Sequence, residues 1–445
     1  MQTTKQMKKF TFVDLFAGIG GFHHALSGMG GKCVLAVEKD ARCNEVYQAS
    51  FPDTPLIRDI REITHQKSGR ESTAKQIAAI VPDHELLCAG FPCQPFSKSG
   101  LQQGVRDSTR GTLFFDIMSV ILSRKPRLVI LENVRNLSGP RHVDTWDLII
   151  DNLQEAGYVV SREPLVLSPH HLPPDQGGRP QVRERVFIAA YRPSRHARRH
   201  SLAPLGLQHL QLSPWNPQEW RIEEFLDDDS TISDLGSYQL NEFESSWLDA
   251  WQSFIQSIPD DHLPGFPIWT EFFVQKYRHL PDVPPWKKQF IDKNFHFYND
   301  STERRRIIDR WLKQKWGRNR QTLREFPPSR QKFEWQARVA QPRRDDRNLH
   351  ELIVQFRPSG IRVRPATYLP ALVAINQTSI IGSRHRRITP IEAARLQGFP
   401  DGLLGGLGIS DNHLYRQLGN AVNVGVVQVI ARGLFELSSR QRSSA

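Results

Sequence analysis

The segment TFVDLFAGIGGF (Thr11 to Phe22) runs an apolar strand into a glycine-rich turn and then into a helix start. A strand that turns into a helix so abruptly is the first half of a βαβ unit, and such units build parallel sheets covered by helices. The pattern continues to about residue 190. Strands are predicted at Phe10 to Leu15, Cys33 to Val37, Glu85 to Cys88, Leu128 to Leu131, Tyr158 to Val160 and Val186 to Ala190. Between them, Leu113, Ile117 and Val120 share one helix face, as do Ile149, Leu153 and Ala156, with Gly157 placed to end the second helix. The expectation is an α/β fold with a largely parallel sheet.

After Tyr191 the alternation stops. Residues 192 to 375 hold nine of the ten tryptophans, and from Glu303 to Arg347 there are 15 Lys/Arg against 6 Asp/Glu, a net of +9. Leu352 to Ile391 holds six arginines and no acid. Ordinary surfaces mix both signs, so these stretches suggest a face that meets phosphates. Trp247, Trp251 and Trp286 read as core anchors. Regular structure returns with Thr389, Pro390 and Glu392, which spell a helix start with a capping box, and Gly398 stops that helix. A last helix from Val424 presents Val427, Ile430, Leu434 and Leu437 on one side and should pack on the first domain. The domains expected are 1–191, 192–380, and a return to the first domain over 381–445.

No apolar run reaches the length of a membrane span, and MQTTKQMKKF has no apolar signal core, so a cytoplasmic protein is expected; a monomer is expected as well. The four cysteines (Cys33, Cys43, Cys88, Cys93) have no metal-finger spacing, and no metal is expected.

The turn after the first strand presents backbone N–H groups to a ligand, and Glu38 ends the second strand where a ribose diol would sit. On geometry alone a nicotinamide dinucleotide is equally possible. A dinucleotide fingerprint starting at Gly18, however, needs a third glycine at position 23, where His23 stands.

A second segment, AGFPCQPFS (Ala89 to Ser97), places Cys93 between Pro92 and Pro95 in a loop after another strand. Further along come LVILENV with Glu132, RPQVRERVFIAA with Arg183 and Arg185, and YRQLGNAV with Asn420 and Val422. In this order the segments resemble the DNA (cytosine-5) methyltransferases, of the kind found in bacterial restriction-modification systems. The resemblance covers about 10 to 190 and 357 to 437. It implies a Rossmann-like S-adenosylmethionine-dependent domain joined to a smaller, irregular target-recognition domain.

By that resemblance Phe16 stacks on the adenine, Ala17, Gly18, Gly20 and Gly21 form the cofactor loop, and Glu38 binds the ribose hydroxyls. Asp59 and Ile60 read the adenine edge, Pro92 and Leu113 line the pocket, and Asn420 and Val422 close over the methionine part. Cys93 is the nucleophile, Glu132 binds the cytosine, Arg185 contacts its O2, and Arg183 supports the nucleophile loop. The chemistry agrees with these types. Carbon 5 of cytosine is too electron-poor to attack a sulfonium methyl until a thiolate has added at carbon 6. A partly buried glutamic acid can remain protonated toward ring nitrogen N3 and ease that addition. Three positions depart from the family pattern: Lys39 follows Glu38 where an apolar or aromatic residue is common, Thr109 lengthens the catalytic-loop segment, and Asn423 replaces a proline, which should soften the turn into the last helix.

The implied activity is methylation of a specific double-stranded DNA site, paired with a restriction endonuclease. Methylation of tRNA, done by one branch of the family, and an inactive DNA-binding relative are the alternatives.

Overall fold

The computed structural model describes residues 8–92, 113–194, 202–259, 262–274, 283–335, 347–372 and 378–443. The chain forms two compact units, Met1–Trp220 with Ala371–Ile375 and Ala393–Ala445, and Arg221–Pro370 with Asn376–Glu392.

In the first unit the strands are β1 (Phe10–Leu15), β2 (Gly31–Val37), β3 (Leu56–Ile57), β4 (Leu86–Gly90), β5 (Leu128–Val134), β6 (Val159–Val160), β7 (Leu165–Leu167) and β8 (Arg185–Tyr191). They form one sheet in the order β3-β2-β1-β4-β5-β8-β6, with β7 also on β8. The pairs from β3 to β5 are parallel. Strand β8 runs against its neighbours β5, β6 and β7. Sheets buried on both faces are apolar along their whole length. Here Val13, Leu15, Val37, Leu87, Ala89, Val129 and Leu131 face one helical layer. That layer includes the helices Leu113–Arg124 and Val143–Glu155, whose Ile117, Val120, Ile149 and Leu153 are fully buried. Gly157 follows the second helix at φ 85°, as its position predicts.

The last helix, Val424–Ser443, packs against the helix Gly21–Ser27, with the Phe10 and Phe435 rings 4.6 Å apart. Val427, Ile430 and Leu434 are fully buried and Leu437 nearly so. The most apolar 18-residue window of Asp411–Arg440 has a mean hydropathy of 1.3, and 83% of that window is buried within the protein, as in a core helix. Asn423 does not soften this helix start. Its Oδ1 accepts the Val426 N–H at 3.1 Å, the bond of an N-cap, so asparagine supplies an orphan N–H with a partner where proline would only preset φ.

The chain does not leave this unit at Tyr191. Leu210 lies where a Cβ on Gly433 would fall, 2.7 Å away, and Trp220 Nε1 donates to the His170 carbonyl at 2.9 Å. Residues 202–220 are therefore bound to the first unit by side chains embedded in a segment with no strand-helix periodicity.

The second unit contains β9 (Ile268–Trp269), β10 (Lys332–Trp335), β11 (Ile353–Arg357), β12 (Gly360–Arg364), β13 (Ile380–Ile381) and β14 (Arg386–Arg387), in the order β14-β13-β11-β12-β10-β9. Its core is aromatic. Trp251, from the helix Glu242–Ser257, stacks on Phe333 with centroids 4.7 Å apart and lies 5.1 Å from Trp311. Both indole N–H groups donate to carbonyls, of Arg330 at 2.9 Å and Ala250 at 2.7 Å, which removes the cost of burying them. Trp247 packs on this cluster, but Trp286 is 61% exposed and anchors nothing there. Thr389 and Glu392 form the expected capping box, with Thr389 N–H to Glu392 Oε2 at 2.8 Å and Glu392 N–H to Thr389 Oγ1 at 3.2 Å. The Arg386 guanidinium also grips that carboxylate through two bonds of 2.9 and 2.8 Å, a fully buried ion pair.

Candidate active site

Ligands of open α/β sheets bind beyond the carboxyl ends of the strands. The registers bring those ends together: Leu15 pairs with Ala89, and Gly90 with Glu132. Because β8 is reversed, its first residue, Arg185, lies at this same edge opposite Val134.

At the end of β1 the backbone enters the left-handed region at Phe16 (φ 59°), Gly18 (φ 56°) and Gly20 (φ 89°). This conformation costs a side-chain-bearing residue energy, and Phe16 bears it. Ala17 N–H is held by the Val37 carbonyl at 2.9 Å. Glu38 closes the turn, accepting Gly18 N–H at 2.8 Å on one oxygen and Asp40 N–H at 2.7 Å on the other. Burial raises the Glu38 carboxyl above its ordinary range, and these two N–H groups oppose the rise. Each oxygen keeps a lone pair for a hydroxyl.

Gly21 has no room for a side chain, since a Cβ would meet Val422 Cγ1 at 2.7 Å. The structure thus brings Val422 onto the glycine turn, while Asn420 is exposed at the end of the helix Asp411–Asn420. Lys39 reaches Asp59, with Nζ to Oδ2 at 2.9 Å, and the other Asp59 oxygen accepts Arg61 N–H at 3.0 Å. Partial burial works against ionisation of Asp59, but these partners outweigh it and hold the carboxyl below its ordinary range. Ile60 beside it is buried. His23 is stacked on Phe51 at 3.4 Å and bonded to the Tyr47 hydroxyl at 2.6 Å, so it fills the helix flank where a dinucleotide fingerprint needs glycine.

Glu132, near the end of β5, is 7% exposed and lies 3.0 Å from Arg185 Nε. Burial pushes its carboxyl above the ordinary range, and Arg185 and then Arg183 pull it back. Asn133 Nδ2 donates to the Phe91 carbonyl at 2.9 Å, tying the end of β5 to the chain just before Pro92. Pro92 is exposed, and Leu113 is half-buried at the start of its helix. Cys93 and Thr109 lie outside the described residues.

Arg183 is 1% exposed, and burial, reinforced by Arg185, lowers its guanidinium to about 9. It donates to the carbonyls of Gly419 (2.8 Å), Ala421 and Leu372 (3.4 Å). These bonds fasten the segment carrying Val422, and no residue spacing announced them. The remaining cysteines are poor nucleophiles: burial raises Cys33 to about 12 and lifts Cys43 and Cys88 above their ordinary values.

The family model of C-5 cytosine-specific DNA methylases matches residues 10–436. Type II methyltransferase M.AluI of Cellulosimicrobium cellulans is 37% identical across 96% of this chain and 92% of its own length. Type II methyltransferase M.HhaI of Haemophilus parahaemolyticus is 37% identical across 42% of this chain and 51% of its own. The solved Dnmt2 methyltransferase of S. pombe is similar with a TM-score of 0.49 and 18% identity, over 96% of this chain and 99% of that one. The chain belongs to the C-5 cytosine-specific DNA methylase family. Its activity is that of a DNA (cytosine-5) methyltransferase.

Proposed function

We propose that this enzyme methylates carbon 5 of a cytosine flipped out of a specific double-stranded DNA site, with S-adenosylmethionine as the donor. The observation that carries the reading is the buried Glu132–Arg185 pair at the carboxyl edge of the sheet. When bound, S-adenosylmethionine supplies an electrophilic methyl group. The residues suit it: the left-handed Gly18 and Gly20 bare the backbone, Glu38 offers acceptors to a diol, Asp59 and Ile60 border the adenine, and Val422 covers the turn. Phe16, Leu113, Pro92 and Asn420 complete the pocket in this reading.

Cys93 thiolate adds to carbon 6 of the base, and the electron pair of the 5,6 double bond becomes available at carbon 5. Glu132, its carboxyl raised by burial, is the acid that donates toward N3, and Arg185 holds O2. Once carbon 5 carries the methyl group, its proton passes to solvent, the C–H electron pair restores the 5,6 double bond, and the Cys93 thiolate leaves. Arg183 positions the Gly419–Val422 segment. Unpairing the base costs a few kcal/mol, which phosphate contacts from the basic residues between 192 and 380, the target-recognition part of the chain, would offset. The type II relatives support a role beside a restriction endonuclease, protecting host DNA in a bacterial cytoplasm.

A duplex carrying 5-fluorocytosine at the target tests the chemistry, because no proton can leave carbon 5. The expected product is a covalent adduct mapping to Cys93, absent in Cys93→Ser, which retains S-adenosylmethionine binding. An adduct on Cys33, Cys43 or Cys88 would overturn the assignment.

A further inference from the structure

We infer that one face of the helix Thr302–Lys313, with the tight turn that follows it, is a DNA-phosphate contact surface; this rests on the DNA reading above and deepens it. Most of the described arginines of the second unit are already engaged inside it. Arg304 donates to the Phe297 carbonyl and lies over its ring at 4.8 Å, and Arg305 bonds Asn299 Oδ1 at 2.5 Å. Arg330 donates to the Arg357 carbonyl at 2.9 Å, Arg362 grips Glu334, and Arg386 grips Glu392.

Arg306, Arg310 and Lys313 differ. At i, i+4 and i+7 they form one stripe opposite the buried Ile308 and Trp311, and all three are exposed. None makes an ion pair among the described residues. The single acid between them in sequence, Asp309, accepts the Tyr298 hydroxyl at 2.5 Å on a neighbouring flank. Seven helical residues rise about 10 Å, roughly three phosphate steps of one strand of a duplex.

The next residues extend the stripe. Trp316 and Gln321 bond each other's backbone at 2.8 and 3.0 Å and pinch off a turn with Gly317 at φ 65° and Arg320 at φ 51°. Arg318, Asn319 and Arg320 are exposed at its tip, and Lys315 and Arg324 are exposed on either side. Arg318 has one acidic neighbour, Glu242 at 3.4 Å, yet its side chain is 91% exposed. An arginine in the left-handed region is strained relative to glycine. From 306 to 324 there are seven Lys/Arg and one acid. A polyanion with regularly spaced charges is the complement of such a strip, and duplex DNA is the one this enzyme meets.

The test uses the full-length protein and duplex DNA binding over a salt series. The triple variant Arg306→Gln, Arg310→Gln, Lys313→Gln is compared with the control Lys67→Gln, Arg70→Gln, Lys75→Gln, which removes the same charge from exposed positions of the first unit. Each lost phosphate contact lowers the slope of log affinity against log salt by about 0.9. The stripe variant is expected to lose about 2 to 3 in slope and about 10- to 100-fold in affinity at physiological salt. The control should change neither, and methylation at saturating DNA should keep its rate and its site in both. A second variant, Arg318→Ser with Arg320→Gly, relieves the strained position, so a lower slope there cannot come from misfolding. Unchanged slopes in both the stripe and turn variants overturn this inference while leaving the methyltransferase reading intact. Failure of the wild type to methylate DNA would instead overturn that reading itself.

Discussion

Glu38 and Glu132 sit at the carboxyl ends of two strands of the same sheet, both with carboxyls raised by burial, yet their surroundings prepare them for opposite work. Glu38 takes one backbone N–H on each oxygen, which stabilises the anion and leaves it an acceptor. Among the described residues Glu132 accepts no backbone N–H, and two cations act on it, Arg185 beside one oxygen and then Arg183. Burial alone does not decide what a carboxyl does. The kind of partner differs as well: two backbone N–H groups oppose the rise at Glu38, and two arginines oppose it at Glu132.

The sharpest way to break this contrast is Glu132→Gln. Loss of a positioned acid typically costs 10²- to 10⁴-fold in rate, so kcat should fall by at least about a hundredfold while S-adenosylmethionine affinity stays within about twofold. Single-turnover methyl transfer and calorimetry check the two halves, and equal losses in both would erase the distinction. Glu38→Ala should do the reverse. Removing charge-assisted hydrogen bonds worth roughly 1.5 to 3 kcal/mol each predicts an about ten- to hundredfold weaker cofactor affinity, read by calorimetry, with DNA affinity retained.

Asp59→Asn should have a smaller effect. Its partner Lys39 is mostly exposed, and an exposed ion pair contributes about 0.2 to 1 kcal/mol, so a loss of about two- to fivefold in cofactor affinity is expected in the same titration. Asp14 extends the comparison to a carboxyl whose donors, the Cys88 thiol and the His23 backbone N–H, do not offset its burial. It is fully buried, its Oδ2 has no hydrogen-bond partner, and burial pushes it to about 8. A carboxyl raised in the folded state stabilises the fold while protonated, fully so below its unfolded value and decreasingly as pH rises through the folded value. Melting temperature should therefore fall between about pH 4 and about pH 8 in the wild type, and fall less in Asp14→Asn. An equal slope in both proteins would mean Asp14 does not titrate in that window.

Much of this contrast was visible in the sequence. The strand ends, Gly157 and the Thr389–Glu392 capping box each have a local cause that neighbouring residues spell out. Strands β3 and β7, two and three residues long, are too short to show a period. The reversal of β8 has no residue signature, because a buried strand is apolar whichever way it runs. Arg304 and Arg305 looked like Arg306 in the sequence. Only helix geometry turns the first two toward Phe297 and Asn299 and the third away. Arg343 and Arg344, equally basic, lie outside the described residues.

The contact between Gly21 and Val422 joins residues 401 positions apart, and the helix that follows Val422 covers the start of the chain. A ribosome adding roughly 5 to 20 residues per second needs on the order of 10 to 40 s to extend the chain from Trp220 to Val424. For that time the glycine turn has been made but lacks its cover, and Phe10 lacks Phe435. The nascent sheet therefore carries an unfinished apolar face through the synthesis of the whole second unit, a target for chaperones.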